Sequence, residues 1–319
     1  MAIGISPLVD FAFKLMLGSP EHTGVTIHFL NSILVDQPKI THVEILNPFL
    51  EKDYDGDKLS VLDILATDEH GRLLNIEMQT SLPSGMSQRL VYYASCLYVG
   101  KLTEGEGYAE LRPAISICVL TQAMFPQVPG LHLDFRLREK MGSILADDLQ
   151  IHLLELSKLR VSAENVYNSS PAERWAYFLR NAEQLDPYEI RRMFPDEEIA
   201  EAAGVLEMIS QTPEQRVLYN ARLKFQRDEE ARVLKAREDG LREGRQEGVR
   251  EGEAKGRQEG RQEGRQEGRQ EGFLAGRIVI LQELLGINPS TEAELANYDE
   301  TQLNDLAERL ERQLRARGD

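Results

Sequence analysis

The chain is poor in the residues that staple small or secreted domains. It has two cysteines in 319 residues, Cys96 and Cys118, far apart and in apolar surroundings. That spacing excludes a disulfide framework and any C-x-x-C metal or redox motif, and leaves both as small core residues. Positive charge is also short: 37 Lys and Arg stand against 53 Asp and Glu, a formal net charge of -16. This argues against a general nucleic-acid coat, though not against a local basic patch working with divalent cations. No apolar run reaches the length of a bilayer span. The opening MAIGISPLVDFAFKLM lacks the basic n-region and unbroken apolar stretch of a signal peptide. A cytoplasmic protein with no membrane partner is expected. What is present, 41% hydrophobic and 28% charged residues, suffices for one substantial core and an appendage.

The first apolar pattern is helical. In SPLVDFAFKLMLGS, Ser6 is placed as an N-cap with Pro7 at the first helical position. Leu8, Phe11, Ala12, Leu15 and Met16 recur at helical spacing, and Gly18 ends the run. Asp10 and Lys14 stand one turn apart, either as an exposed pair or as part of an active-site helix. A second helix follows over Glu21–Leu34, then a strand over Ile40–Leu46. The acidic turn Asp53–Asp57 (DYDGD) lacks the glutamate spacing of a calcium loop and is read as solvated.

The stretch Lys58–Thr80, KLSVLDILATDEHGRLLNIEMQT, reads as two strands around a tight turn. It sets acids inside apolar runs: Asp63 among Val61, Leu62, Ile64 and Leu65, and Glu77 with Gln79 around Met78. Acids in such positions are rarely buried unless paired or bound to a metal. Asp68 and Gly71 suit the first and last positions of a type I turn with a left-handed residue closing a three-residue loop. Glu69-His70-Gly71 is then the loop, Asp68 pairs with Arg72, and Asp63 falls opposite Glu77. Gln79 shares the face of Glu77, because strand periodicity is two. Carboxylates opposed at roughly 5 Å repel, and a hard divalent cation between them reverses the sign.

Beyond the hairpin, Met86–Lys101 reads as a helix that brings Arg89, Tyr92 and Tyr93 near one another. The tyrosines either pack in the core with hydroxyls at its rim or contact phosphate. Pro113–Thr121 (PAISICVLT) is a buried strand. Leu131–Arg138 and Gln150–Leu156 alternate like outer strands. Their histidines, His132 and His152, have no third ligand at metal spacing and are read as structural. From Ser162 to Lys235 the pattern is helical, with Trp175, Phe178 and Leu179 on one apolar face and Ile199, Ala203, Leu206 and Ile209 on another.

Glycine then recurs every fourth residue from Gly240 to Gly276, mostly separated by Arg-Gln-Glu. Each interior glycine costs a helix roughly 1 kcal/mol against alanine, and period four stacks like charges at i,i+4. Two readings stand: a flexible charge-balanced linker, or a helix whose glycine stripe admits a second helix closely. The helical self-association is preferred. Two short helices follow, Phe273–Leu285 and Glu292–Arg317, broken at Asn288–Thr291. The last packs through Leu303, Leu306, Leu310 and Leu314, and the hairpin of the two, too small for an independent core, is expected to pair with a copy of itself or pack on the helices of residues 162–235.

The segments SPLVDFAFK with FLNSIL, LDILATDEHGRLLNIEMQ and RLVYYAS together resemble the recombination-promoting nucleases, transposase-like members of the PD-(D/E)XK nuclease superfamily. The resemblance covers roughly residues 5–160, along with the habit of a glycine-repeat tail. It implies an α/β, restriction-endonuclease-like mixed sheet flanked by helices, with the acidic cluster on a central hairpin. The expected organisation is a nuclease-like domain at 1–160, a helical annex at 161–236, the glycine repeat at 237–276 and a C-terminal helical hairpin at 277–319. The implied chemistry is hydrolysis of DNA phosphodiester bonds by an endonuclease that uses Mg2+ or Mn2+, linked to recombination or mobile elements. Asp63 and Glu77 would hold the metal, and Gln79 would orient water where the superfamily usually has lysine. Asp10, Lys14, Lys58, Arg89 and Tyr93 are supporting candidates. A homo-oligomer built through the C-terminal repeat is expected. The alternative is a non-catalytic DNA- or protein-binding assembly factor that keeps the fold. Strand joining in addition to cutting is compatible with the same metal chemistry.

Overall fold

A computed structural model describes residues 1–46, 63–100 and 107–316. Lys58, the Asp53–Asp57 turn and the start of the Lys58–Thr80 stretch lie outside the described residues. The chain divides into two units, Met1–Arg232 and Val233–Asp319.

The first unit opens with two helices, α1 (Asp10–Leu17) and α2 (Thr23–Ile33). α1 starts later than Ser6 and Pro7 suggest. Ser6 Oγ accepts from the Leu8 amide inside a preceding turn, and Val9 stands at the N-cap without a side-chain bond. Serine here satisfies a local turn instead of the helix end, a competition short hydroxyl side chains often enter. Gly18 closes α1, as expected.

Six strands then form one mixed sheet. β1 (Val43–Leu46), β2 (Ile64–Asp68) and β3 (Leu73–Gln79) run antiparallel in turn. Helix α3 (Met86–Val99) carries the chain over to β4 (Ala114–Leu120), which lies parallel to β3. Parallel neighbours need such a crossover. β5 (His132–Arg138) and β6 (Ile144–Glu155) complete the order β1-β2-β3-β4-β6-β5. β4 is buried along its whole length, the environment its unbroken apolar run demands. One expectation fails here. β6 is an inner strand, parallel to β4 and flanked by the true edge strand β5. Its alternation misled because its polar residues Gln150, His152 and Glu155 are buried, Gln150 beside His152 and Glu155 accepting from the Met124 and Phe125 amides.

The two faces of the sheet are covered unequally. Leu74, Ile76, Ile115, Ile117 and Val119 share one core with α1 and α2. The same core takes in α4 (Pro171–Asn181), α5 (Pro187–Met193) and α6 (Glu197–Gln211). Trp175 packs edge-on against Phe29 and Phe178, with ring centroids 5.4 and 5.8 Å apart, an arrangement aromatic quadrupoles favour. The apolar faces read over residues 162–235 thus close the core of the sheet itself. Ser170 with Glu173 and Asp186 with Glu189 form capping boxes behind prolines, which fixes where α4 and α5 begin. On the opposite face α3 is the one helix among the described residues, with Leu82, Met124 and Phe125 packed beside it. Met86 and Leu90 cover Cys118, Leu120 and Leu153, and Leu97 covers Leu65 and Ala114. Helix α7 (Pro213–Leu284) starts in this unit, where the Tyr219 hydroxyl accepts from the Ser6 amide.

In the second unit α7 is continuous through Gly240–Gly276, so the repeat is helix and not coil. Two shorter helices follow, α8 (Glu292–Leu295) and α9 (Glu300–Arg315). Thr291 caps α8 through a capping box with Glu294. Leu303, Ala307 and Leu310 of α9 pack with Leu274, Ile278, Leu281 and Leu285 in a small cluster of their own. The arms of the hairpin thus pack on each other along the α9 face read from the sequence. Among the described residues no helix is long and apolar enough to cross a membrane.

Candidate active site

The β2–β3 turn decides what the hairpin can do. The Asp68 amide donates to the Arg72 carbonyl at 3.2 Å, the Gly71 amide to the Asp68 carbonyl at 3.0 Å, and Gly71 has φ +75°. This is the three-residue loop read from the sequence, closed by a left-handed glycine. Asp68 Oδ1 also accepts from the His70 and Arg72 amides, and Arg72 Nε donates to Asp68 Oδ2 at 2.5 Å. The ladder then pairs Thr67 with Leu73 and Ile64 with Ile76. Asp63 directly precedes β2, beyond the last ladder pair, Ile64 with Ile76, and its side chain reaches β3 at the Met78 amide, next to Glu77.

Two contacts hold Asp63. Its Oδ2 accepts from the Met78 amide at 3.1 Å, and its Oδ1 lies 3.2 Å from Lys14 Nζ. The same Nζ is 2.8 Å from Asp10 Oδ1. Asp10 and Lys14 are therefore not merely an exposed helical pair: Lys14 joins two carboxylates across elements. Gly18 permits the approach, because a Cβ there would lie 2.9 Å from Ile64 Cγ1 and 2.9 Å from the Lys14 carbonyl oxygen. Burial opposes the charge on Lys14, but Asp10 and Asp63 outweigh it and hold its pKa above the ordinary lysine value. Asp63 is pushed above the usual aspartate range, first by burial and also by Asp10, against the Met78 amide and Lys14.

Glu77 lies deeper, with 2% of its surface exposed. Its Oε1 accepts from Asn75 Nδ2 at 3.0 Å, and Asn75 Nδ2 is also 3.2 Å from Ser116 Oγ on β4. Asn75 and Ser116 were missed in the sequence: an amide two residues before Glu77, on its face of the strand, is the signal for Asn75, while Ser116 is placed only by the register of β4 on β3. Glu77 Oε2 and Asn75 Oδ1 are buried without a hydrogen-bond partner. Burial raises the Glu77 pKa, helped by the charge of Asp63 and opposed by Asn75, Arg89 and Lys14. Burial and the same two carboxylates push the Cys118 thiol, the ladder neighbour of Glu77, well above its usual value, so it is no thiolate nucleophile.

The remaining candidates divide. Gln79 sits half-buried at the end of β3, on the face of Asn75 and Glu77. From α3, the Arg89 guanidinium lies 5.2 Å from the centre of the Tyr93 ring. His132 and His152 sit apart on β5 and β6, stacked with ring centroids 5.2 Å apart. Their facing nitrogens are 2.9 Å apart, and His152 Nε2 is 3.1 Å from Gln150 Oε1.

Among the described residues no group of three or more His, Cys, Asp or Glu side chains is placed to hold a metal ion. Magnesium does not require one, since it is commonly bound by one or two carboxylates and completed by water and substrate phosphate. A buried carboxylate oxygen with no donor, near a second carboxylate, fits that kind of ion. Zinc, which prefers closed sets of nitrogen and sulfur ligands, would find no such set here.

A family model described as PD-(D/E)XK nuclease family transposase matches residues 7–236. The match takes in the sheet, α1 to α6 and the start of α7. No curated protein matches the chain, and neither does any solved structure.

Proposed function

The chain belongs to the PD-(D/E)XK nuclease family transposases, and from that premise we propose that it is a metal-dependent endonuclease hydrolysing DNA phosphodiester bonds. In this reading the mixed sheet is a restriction-endonuclease-like fold whose central hairpin is the active site. The observation that carries it is the buried Glu77, with one oxygen lacking a donor, beside Asp63, which takes the amide of the next residue, Met78. Asp63 and Glu77 would hold Mg2+ or Mn2+. When bound, the ion would supply a Lewis acid that activates water and draws charge from the phosphate.

The other side chains position and shield. Asn75 holds Glu77 Oε1, which leaves Oε2 as the open donor. Lys14 orients Asp63 and ties Asp10 to the same edge of the sheet. Gln79 would orient the attacking water by hydrogen bonding, but it brings no positive charge to the transition state, as the usual lysine would. The C-terminal glycine helix would join copies of the chain into a homo-oligomer.

A second reading is a DNA- or protein-binding assembly factor that keeps the fold without catalysis. Gln79 and the net charge of -16 favour it. Plasmid DNA incubated with purified protein and MgCl2, beside Asp63→Ala and Glu77→Ala, separates the two. Magnesium-dependent nicking by the wild type and by neither variant is expected. Cleavage that survives in both variants removes the site assignment, and a wild type inert in magnesium and manganese supports the binding role.

A further inference from the structure

The site described above holds three carboxylates, Asp10, Asp63 and Glu77, and two cations, Lys14 and Arg89. Lys14 is committed, lying between Asp10 and Asp63. Arg89 is not. Its Nε is buried without a hydrogen-bond partner, and among the described residues it forms no ion pair. It is nevertheless near enough for its charge to act on the Glu77 carboxylate. Tyr93, one turn further along α3, lies under the guanidinium, which keeps the fork flat and pre-aimed. A buried guanidinium nitrogen without an acceptor is costly. An arriving anion relieves that cost.

We propose that Arg89 contacts the phosphate of the bound nucleic acid and supplies the positive charge that Gln79 cannot. This rests on the nuclease reading for its substrate. Two features of the site favour a phosphodiester as the anion. With a divalent ion added, the five charged groups carry a net charge of +1, which one phosphodiester balances. Arginine also offers parallel N–H donors that match two phosphate oxygens, and a lysine would not.

The test measures binding of the full chain to a short fluorescein-labelled DNA duplex by anisotropy, in calcium to hold cleavage back, over a series of salt concentrations. Neutralising one phosphate contributes about 0.9 to the slope of log affinity against log salt. Arg89→Met is expected to lower the slope by about that amount, and Arg89→Lys, which keeps the charge, to leave it near wild type. In magnesium, cleavage by Arg89→Met should fall about 100-fold in kcat, with Arg89→Lys between it and wild type. An unchanged slope in Arg89→Met overturns the proposal. So does an equal loss in Arg89→Lys, which would mark a packing role, and so does a wild type that binds no duplex. Should Arg89→Met fail to fold, Arg89→Gln replaces it against the same criteria. A wild type that binds with the expected slopes but never cuts defeats the endonuclease reading and leaves the Arg89 contact standing.

Discussion

Replacing Glu77 by glutamine should make the protein more stable and remove its response to magnesium. Glu77 is buried, its Oε2 has no donor, and the nearby Asp63 is another acid whose charge acts on it. A buried acceptor left unpaired costs about 1–3 kcal/mol, more when charged, and a like charge nearby adds to that. Glutamine has the same shape, keeps the Oε1 acceptor that Asn75 uses, and carries no charge. Without divalent ions the variant should therefore gain about 1–2 kcal/mol. With magnesium the order should reverse. An ion that binds only the folded state at 100 times its Kd stabilises by about 2.7 kcal/mol, and only the wild type has the carboxylate to receive it. Trp175 is the chain's single tryptophan and is fully buried in the first unit, so its fluorescence during urea unfolding reports that unit. The measurement is made in EDTA and again in MgCl2. A variant less stable than wild type in EDTA would refute the view that Glu77 is kept at a cost to folding. Equal stabilisation of both proteins by magnesium would refute its role as the ligand.

Two further outcomes follow from single contacts. Gly18→Ala forces a Cβ against Ile64 and the Lys14 carbonyl and should cost about 1–3 kcal/mol in the same unfolding assay; a neutral result would mean that β2 can move away freely. Burial holds the His152 pKa down at about 4, below the unfolded value, so this residue penalises folding as pH falls through about 6.5. Stability should drop by about 2 kcal/mol between pH 7 and pH 5 on its account, and a His152→Gln variant showing the same drop would place the titration elsewhere.

The hairpin was legible because turn chemistry is local. Asp68 and Gly71 set the loop length, and loop length sets every pairing up to Asp63. The parallel neighbour β4 was legible as an apolar run, but its register against β3 was not, since the intervening crossover imposes none. That is why Ser116, which shares the Asn75 amide with Glu77, could not be assigned to the site. Lys14 was visible only as a partner of Asp10. Its second carboxylate, Asp63, lies 49 residues away in sequence, and the packing of Gly18 on Ile64 that joins them leaves no periodic trace. β6 misled because its polar residues Gln150, His152 and Glu155 find partners inside the fold, and alternation alone does not show whether water or protein satisfies them.

The glycine helix leads to the last expectation. A continuous α7 through Gly240–Gly276 carries ten glycines, a penalty on the order of 10 kcal/mol against alanine. Among the described residues nothing uses their smallness, because a Cβ at any of these positions meets no atom within 4 Å. The charges offset little of the cost locally, since the pairs that form, Arg242 with Asp239 and Lys255 with Glu259, are exposed. If a second helix seats on the stripe, alanine at Gly256, Gly260, Gly264 and Gly268 would raise the intrinsic helix propensity but hold the partner off. Circular dichroism of the diluted protein should then show greater helicity, while light scattering shows a smaller mass. Deletion of Gly240–Gly276 should lower the mass as well. Greater helicity at unchanged mass would refute close packing and leave the repeat as a spacer, its glycines serving flexibility alone.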